Sequence, residues 1–373
     1  MRRYLGKAAI VGAVALTAAA CGGTGSDNTS NAGDGKPQAP ASSGAPACTE
    51  KGNTASTDAK TVTVYSVDGL ADWYTKRFVE FEKQTGIKVQ MVESGSGEVI
   101  TRMEKEKTNT QADLAVTLPP FIQRAVGADL LQPYTPACAD KVPAASKDAA
   151  GKYTAISNNY LSWIYNPDQA KPAPATFKDL LDGRFDKRLQ YSTPGQAGDG
   201  TAVLLQLQHI YGKEGALEYL KQLEKNNVGP SSSTGKLQPK TSKGELSVAN
   251  GDVQMNLGSI HNDKSSFKIW FPADDTGKKS TVALPYYAGV IKGAPHPEAA
   301  QKLLDFLLST ESQTALSTDA RGLPAREDVK PGDANGTEIA ALMQGVDIYT
   351  PDWDQVVRDF DADIAAYNKA VGR

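Results

Sequence analysis

From residue 61 onward, the apolar positions form short extended runs alternating with longer helical ones. "KTVTVYSVDG" is a β-branched run closed by turn residues and predicts a strand. In "LADWYTKRFVEFEKQTG", Tyr74, Phe78 and Phe81 recur at i, i+4 and i+7, one face of a helix stopped by Gly86. "IKVQMVES" predicts a second strand, "GEVITRMEKEKTN" a second helix, and "ADLAVTLPP" a third strand leading into a helix from Phe121 to Val126. Strand and helix alternate at the spacing of βαβ units, which predicts a mostly parallel, doubly wound sheet.

The extended segment "YTAISNNYLSWIYNP" then carries the chain into a second lobe. There "TFKDLLDGRF" predicts a helix, "RLQYSTP" a strand, and "TAVLLQLQHIYG" a helix with Val203, Leu204, Leu207 and Tyr211 on one face. "VQMNLGS" and "FKIWFP" predict further strands, and the extended "STVALPYYAGVIKGA" leads back to the first lobe. "HPEAAQKLLDFLLSTESQ" predicts one amphipathic helix, and a closing helix from about Trp353 turns Val357, Phe360, Ile364, Tyr367 and Val371 inward. The expected division is 61–156 with 283–373 as lobe 1 and 157–282 as lobe 2. Two crossings between α/β lobes make a hinge, and a hinged pair closes on a ligand held between its halves.

The N-terminal pattern is different. "MRRYLGKAAIVGAVALTAAAC" has a basic start, an apolar stretch from about Ala8 to Ala20, and small residues before Cys21. That is the anatomy of a secretory signal peptide over 1–20, too short for a comfortable membrane span. Its Leu-Thr-Ala-Ala-Ala-Cys ending resembles a bacterial lipobox, so Cys21 is the expected lipidation site and membrane anchor. Residues 21–60 are rich in Gly, Ser, Asn, Pro and Ala and predict a flexible tether. These features place the body at the extracellular face of the cell membrane.

Composition narrows the partners. The net charge is −3, and loss of Arg2, Arg3 and Lys7 with the leader takes it to −6, with no basic stripe along the chain. Nucleic acid is therefore not an expected partner. Of three cysteines, Cys48 and Cys138 remain once Cys21 carries lipid, and an oxidising compartment predicts a disulfide between them.

Open α/β sheets bind ligands beyond the carboxyl ends of their strands. Four such ends are 66–69, "SGSG" at 94–97, 117–120 and "STPGQAGDGT" at 192–201. Each is rich in hydroxyls or glycine and leads into a helix, whose free N–H groups favour an anion. The candidate donors are Ser66, Ser94, Ser96, Gly97, Thr117, Thr193, Gln196, Gly200 and Thr201. Each loop can equally be a plain cap and turn. No arginine lies in them, while Asp68 and Asp199 do. Those two are either helix caps or the partners of a cation on the same ligand. Tyr160 lies on the first crossing. Along the strand through Tyr286 and Tyr287 the two side chains face opposite ways, so one at most lines a cleft; Tyr287 is the candidate. The three histidines, His209, His261 and His296, assemble with no nucleophile, and no G-x-S-x-G, P-loop or HExxH motif occurs, so neither an enzyme nor a cofactor is expected.

The stretches "VYSVDGLADWY", "VESGSGEV", "QADLAVTLPPFIQRA", "SWIYNP", "STPGQAGDGTAV" and "GVIKGAPHPEAAQKLLDFLLSTESQ" resemble the extracellular solute-binding proteins of ABC importers. The group takes in binders of ferric ion, polyamines and phosphate esters, and this chain is most similar to its 2-aminoethylphosphonate-binding branch. The resemblance implies a two-lobed type II periplasmic-binding-protein-like fold, each lobe a mainly parallel sheet with flanking helices. It implies a monomer that captures 2-aminoethylphosphonate, or a similar phosphonate or phosphate ester, and delivers it to permease subunits. A ferric-ion or polyamine binder of the same group is the alternative. Where the ferric branch carries tandem tyrosines, this chain has Ser259, His261 and Asn262, a poor set for iron; these three join the candidate ligand residues, and no metal is expected.

Overall fold

Two large sheets, each with its own apolar core, and one two-stranded sheet are built from residues 56–373, the part of the chain that the computed structural model describes. The leader, Cys21, most of the tether and Cys48 lie outside the described residues.

Lobe 1 begins β1 (Thr61–Val67), α1 (Ala71–Thr85), β2 (Lys88–Ser94), α2 (Ser96–Lys105), β3 (Leu114–Thr117) and α3 (Phe121–Gly127). These elements follow the sequence pattern closely. Trp73, Tyr74 and Phe81 of α1 are buried, and Gly86 caps the helix in the left-handed conformation (φ 73°), its N–H bonded to Glu82 O at 2.8 Å. The chain then runs through β4 (Thr154–Asn158) and crosses at Asn159–Tyr160 into β5 (Leu161–Tyr165). The second lobe holds β6 (Leu189–Gln190), α4 (Gly198–Leu223), α5 (Leu237–Ser242), β7 (Val248–Asp252), α6 (Val253–His261) and β8 (Lys268–Trp270). After β9 (Lys279–Val282) the chain crosses back into β10 (Tyr286–Val290). It continues through α7 (Pro297–Leu307), α8 (Thr310–Ala320), β11 (Leu323–Pro324), α9 (Ala334–Leu342), β12 (Val346–Tyr349) and α10 (Trp353–Ala370).

The six-stranded sheet has the order β11-β4-β10-β3-β1-β2 and the four-stranded sheet β6-β7-β5-β8. Both are mixed rather than mainly parallel. β1 runs parallel to β2 and β3, but β10 is antiparallel to β3 and β4; in the second sheet only β6 and β7 are parallel. The returning crossing causes this in lobe 1, since it brings β10 into the sheet centre from the opposite end. The two crossings are themselves joined: Leu284 N donates to Asn159 O at 2.8 Å, and Tyr160 bridges Ala283.

Three elements depart from the pattern. "VQMNLGS" is helical, because the Asp252 carboxylate accepts from Met255 N at 2.7 Å and starts α6 there. "TFKDLLDGRF" is two 3₁₀ turns, because Asp179 takes the N–H groups of Ala175 and Thr176 and Asp182 takes that of Arg184. The long helix after His296 is two helices, with the Ser309 hydroxyl accepting from Ser312 N to begin the second.

The C-terminal stretch reaches both cores. β12 pairs with β9, Phe360 belongs to the first core, and Tyr367 to the second. Arg124 of α3 pairs with Asp361, and Lys213 of α4 with Asp359 and Asp363. The α10 helix thus straddles the lobes.

Candidate functional site

The carboxyl ends of β1, β2, β6 and β7 meet the starts of α2, α4 and α6 between the two lobes. A cavity of about 10 Å³, room for roughly one water, is lined there by Asp68, Ser94, Gly95, Ser96, Leu118, Gly198, Asp199 and by Ser232, Ser233 and Thr234. The lobes are closed on each other. Gly97 N donates to Gln196 O at 2.9 Å, and Asp68 Oδ2 accepts from Ser233 Oγ at 2.6 Å and Gly235 N at 3.2 Å. Backbone approaches backbone so tightly that a Cβ on Gly95 would stand 2.5 Å from Ser232 O, and one on Gly97 2.8 Å from Gly195 O. Glycine in "SGSG" serves this interlobe contact as much as any anion.

The candidate residues divide by place. Asp68, Ser94, Ser96 and Asp199 line the cavity. Gly97 and Gln196 line one mouth of the cleft together with Arg102 and Lys105; Ser259 and Asn262 line the other with Asp72 and Asp263. Asn262 also hydrogen-bonds Asp72 across that mouth. The remaining candidates have other partners or other places. The Thr201 hydroxyl donates to Ala197 O and accepts from Gly195 N, shaping the loop into α4. The Thr193 hydroxyl accepts from Ser231 N. A Cβ on Gly200 would lie 2.2 Å from Ser192 O, so that glycine permits the turn. Ser66 is fully buried, and Thr117 is buried with its hydroxyl unpaired. Tyr160 is half-buried on the hinge. His261 meets Glu338 at 2.8 Å, away from the cavity. Tyr287 packs edge-on against Tyr153, 4.9 Å between ring centres. Its neighbour Tyr286 turns the other way, its hydroxyl 3.2 Å from Asp68 O and 3.4 Å from Asp252 Oδ2.

Two groups of site residues escaped the sequence reading. One is "SSSTG" at 231–235, four hydroxyls and a glycine ahead of α5, the same signature as the loops that were singled out. The other is Asp252, hidden because the residues after it were read as strand and not as a helix that needs a cap.

The electrostatics are one-sided. Asp68, Asp199 and Asp252 converge, and no Lys, Arg or His lines the cavity. Burial, then the charge of Asp252 and, more weakly, that of Asp68, push the Asp199 carboxyl well above its usual range, against a hydrogen bond from Thr234. Burial also raises Asp252, to about 6, despite hydrogen bonds from Met255 N and the Tyr286 hydroxyl. The phenol of Tyr286 is pushed up by burial and by the same carboxylates. Such a site disfavours a bare anion and suits a ligand bearing a cation. Neutral donors, Ser94, Ser96, Ser232 and the start of α2, lie beside the acids. Among the described residues, no three His, Cys, Asp or Glu side chains are grouped to hold a metal ion.

Known proteins give the same picture. A periplasmic protein of Salmonella typhimurium named for 2-aminoethylphosphonate binding is 49% identical over 313 residues, 83% of this chain and 91% of that protein. The periplasmic binding protein AfuA of Actinobacillus pleuropneumoniae, solved with fructose-6-phosphate, superimposes with TM-score 0.72 at 18% identity over 84% of this chain and 99% of its own. The ferric ion-binding protein A of Pasteurella haemolytica does so with TM-score 0.68 at 19% identity, over 84% and 98%. These two share the two-lobed fold. The family model for bacterial extracellular solute-binding proteins matches residues 109–355, and the chain belongs to that family.

Proposed function

We propose that this protein captures 2-aminoethylphosphonate, or a phosphonate or phosphate ester that also carries an amine, between its lobes and hands it to the permease of an ABC importer. The observation that carries the reading is the juxtaposition of a hydroxyl-rich cradle with two carboxylates, Asp68 and Asp199, in one cavity free of basic side chains, with Asp252 buried beside Asp199. The phosphonate sits towards Ser94, Ser96 and Ser232, and the ammonium towards Asp68, with the buried charge of Asp252 behind it. The relative named for this ligand, 49% identical, supports it. The cavity as it stands holds about one water, so the ligand enters an opened cleft and the lobes close on it.

The acids alone would also suit a polyamine, and a thermal-shift panel separates the readings. Aminoethylphosphonate should raise the melting temperature well above any shift from phosphate, methylphosphonate, putrescine or ferric citrate. A larger shift from putrescine or ferric citrate than from aminoethylphosphonate would sink the proposal.

The same reading covers the rest of the chain. The protein acts as a monomer without catalysis, exported by a signal peptide over 1–20 and held to the membrane by lipid on Cys21 and a tether over 21–60. The lobes divide near Asn159 and Ala283. A disulfide joins Cys48 to Cys138; in support, Cys138 is buried.

A further inference from the structure

Asp199 is out of place for either role its neighbours suggest. It sits in the first turn of α4, and its neighbour Gly198 is so close to the cradle that a Cβ there would lie 3.0 Å from Ser96 Oγ. It is 3% exposed, and its Oδ1 has no hydrogen-bond partner. The titratable groups facing it are Asp252 at the end of β7, Asp68 at the end of β1 and the phenol of Tyr286 on β10; the Thr234 hydroxyl stands beside it. None of these brings a positive charge. An ionised carboxylate here would face two others and also repel the phosphonate held by Ser94 and Ser96.

We infer that Asp199 is a neutral carboxylic acid in the closed, liganded protein and donates its proton in a hydrogen bond to a phosphonate oxygen, while Asp68 takes the ammonium. The assignment rests on the proposed phosphonate ligand and adds a donor to its head site. Burial supplies the means, because in a site of low polarity the neutral form of an acid is the cheaper one, and a neutral acid both removes the repulsion and uses the unpaired oxygen. When the cleft is open, water reaches the carboxyl and Asp68 moves away with the other lobe, so the carboxyl ionises more readily. Closure on ligand therefore takes up one proton from solvent, which ends on Asp199, and no bond to the ligand forms or breaks.

Calorimetry in buffers of different ionisation enthalpy tests this on the mature protein, counting protons taken up with aminoethylphosphonate and with n-propylphosphonate, its analogue without an amine. Asn has the shape of the neutral acid and offers an N–H in its place. Asp199→Asn should keep most of the affinity for aminoethylphosphonate that Asp199→Ala loses at pH 7. It should take up about one proton fewer, and lose a fall in affinity that the parent shows as pH rises. The phosphonate's own ionisation is common to both proteins and cancels in the difference. Asp199→Ala should lose roughly 10-fold or more for both phosphonates, as a donor to a charged group is removed. An Asn variant as weak as the Ala variant, or with unchanged proton uptake, overturns the assignment and leaves the phosphonate reading standing. A parent that binds neither phosphonate overturns both.

Discussion

Gly97 lies within α2, yet its surroundings belong to the other lobe. Its N–H reaches Gln196 O at 2.9 Å, and a Cβ would stand 2.8 Å from Gly195 O and 3.2 Å from Gln196 O. Both obstacles are backbone atoms, which cannot swing aside as a side-chain tip would. Replacing Gly97 with Ala should therefore act in opposite directions on two measurements. In the open form the site is an ordinary helix position, where Ala is favoured over Gly by up to about 1 kcal/mol. In the closed form the extra methyl meets a packed wall, at a cost of roughly 1–3 kcal/mol. That cost falls on closure, so every ligand should lose affinity alike, by roughly 5- to 150-fold. Gly127→Ala is the control, since nothing stands within 4 Å of its Cβ position. Calorimetry gives the affinities, and small-angle scattering shows whether ligand still contracts the protein. Affinity and contraction like the parent's would mean that the Gly97–Gly195 contact is not part of the bound state, and the argument from backbone approach would fail.

Other outcomes follow from the same geometry. Asp68→Asn should weaken aminoethylphosphonate by roughly 10- to 150-fold, the worth of a hydrogen bond to a charged group, while sparing n-propylphosphonate; equal losses on both, by calorimetry, would remove Asp68 as the amine partner. Asp252 has its carboxyl raised to about 6 in the closed form, so its contribution is full below the ordinary carboxylate range near 4 and is lost as pH rises through 6. Without ligand, the radius of gyration should accordingly be larger at pH 8 than at pH 5, and a constant radius would contradict this. Denatured mature protein with Cys21 replaced should show no thiol to a titrant before reduction and two after it; two thiols beforehand would exclude the Cys48–Cys138 bridge.

The fold was legible where one pattern had one meaning. The aromatic spacing of α1 and the β-branched runs of β1 to β3 each fit a single element, and their glycine and serine ends marked where a ligand could sit. "VQMNLGS" fits two, because Val253, Met255 and Leu257 at i, i+2 and i+4 suit a strand, while Val253 and Leu257 alone, at i and i+4, suit one face of a short helix. The Asp252 side chain decides between them by capping Met255 N, and reading that acid as a strand residue concealed its place in the cleft. Tyr286 and Tyr287 could be said to diverge but not which faces the acids, since that depends on the pairing of Tyr287 with Thr117 across β10 and β3. The convergence of Asp68, Asp199 and Asp252 comes from two strand ends and a helix start far apart in the chain. Asp199 and Asp252 share the second lobe, and closure brings Asp68 to them from the first.

The helix that straddles the lobes constrains how they can part. Phe360 is rooted in one core and Tyr367 in the other, seven positions apart along α10, about 10 Å of a rod that scarcely stretches. Sliding apart along that line is closed to the molecule, and what remains is a swing, as covers turn about a book's spine. Points beside the spine then barely travel, while points far from it sweep the widest arc. A pair of fluorescent labels on α10 would stay silent through the cycle, and the C-terminus that follows it is a natural place to fix this protein to an electrode or bead when building a sensor for its ligand.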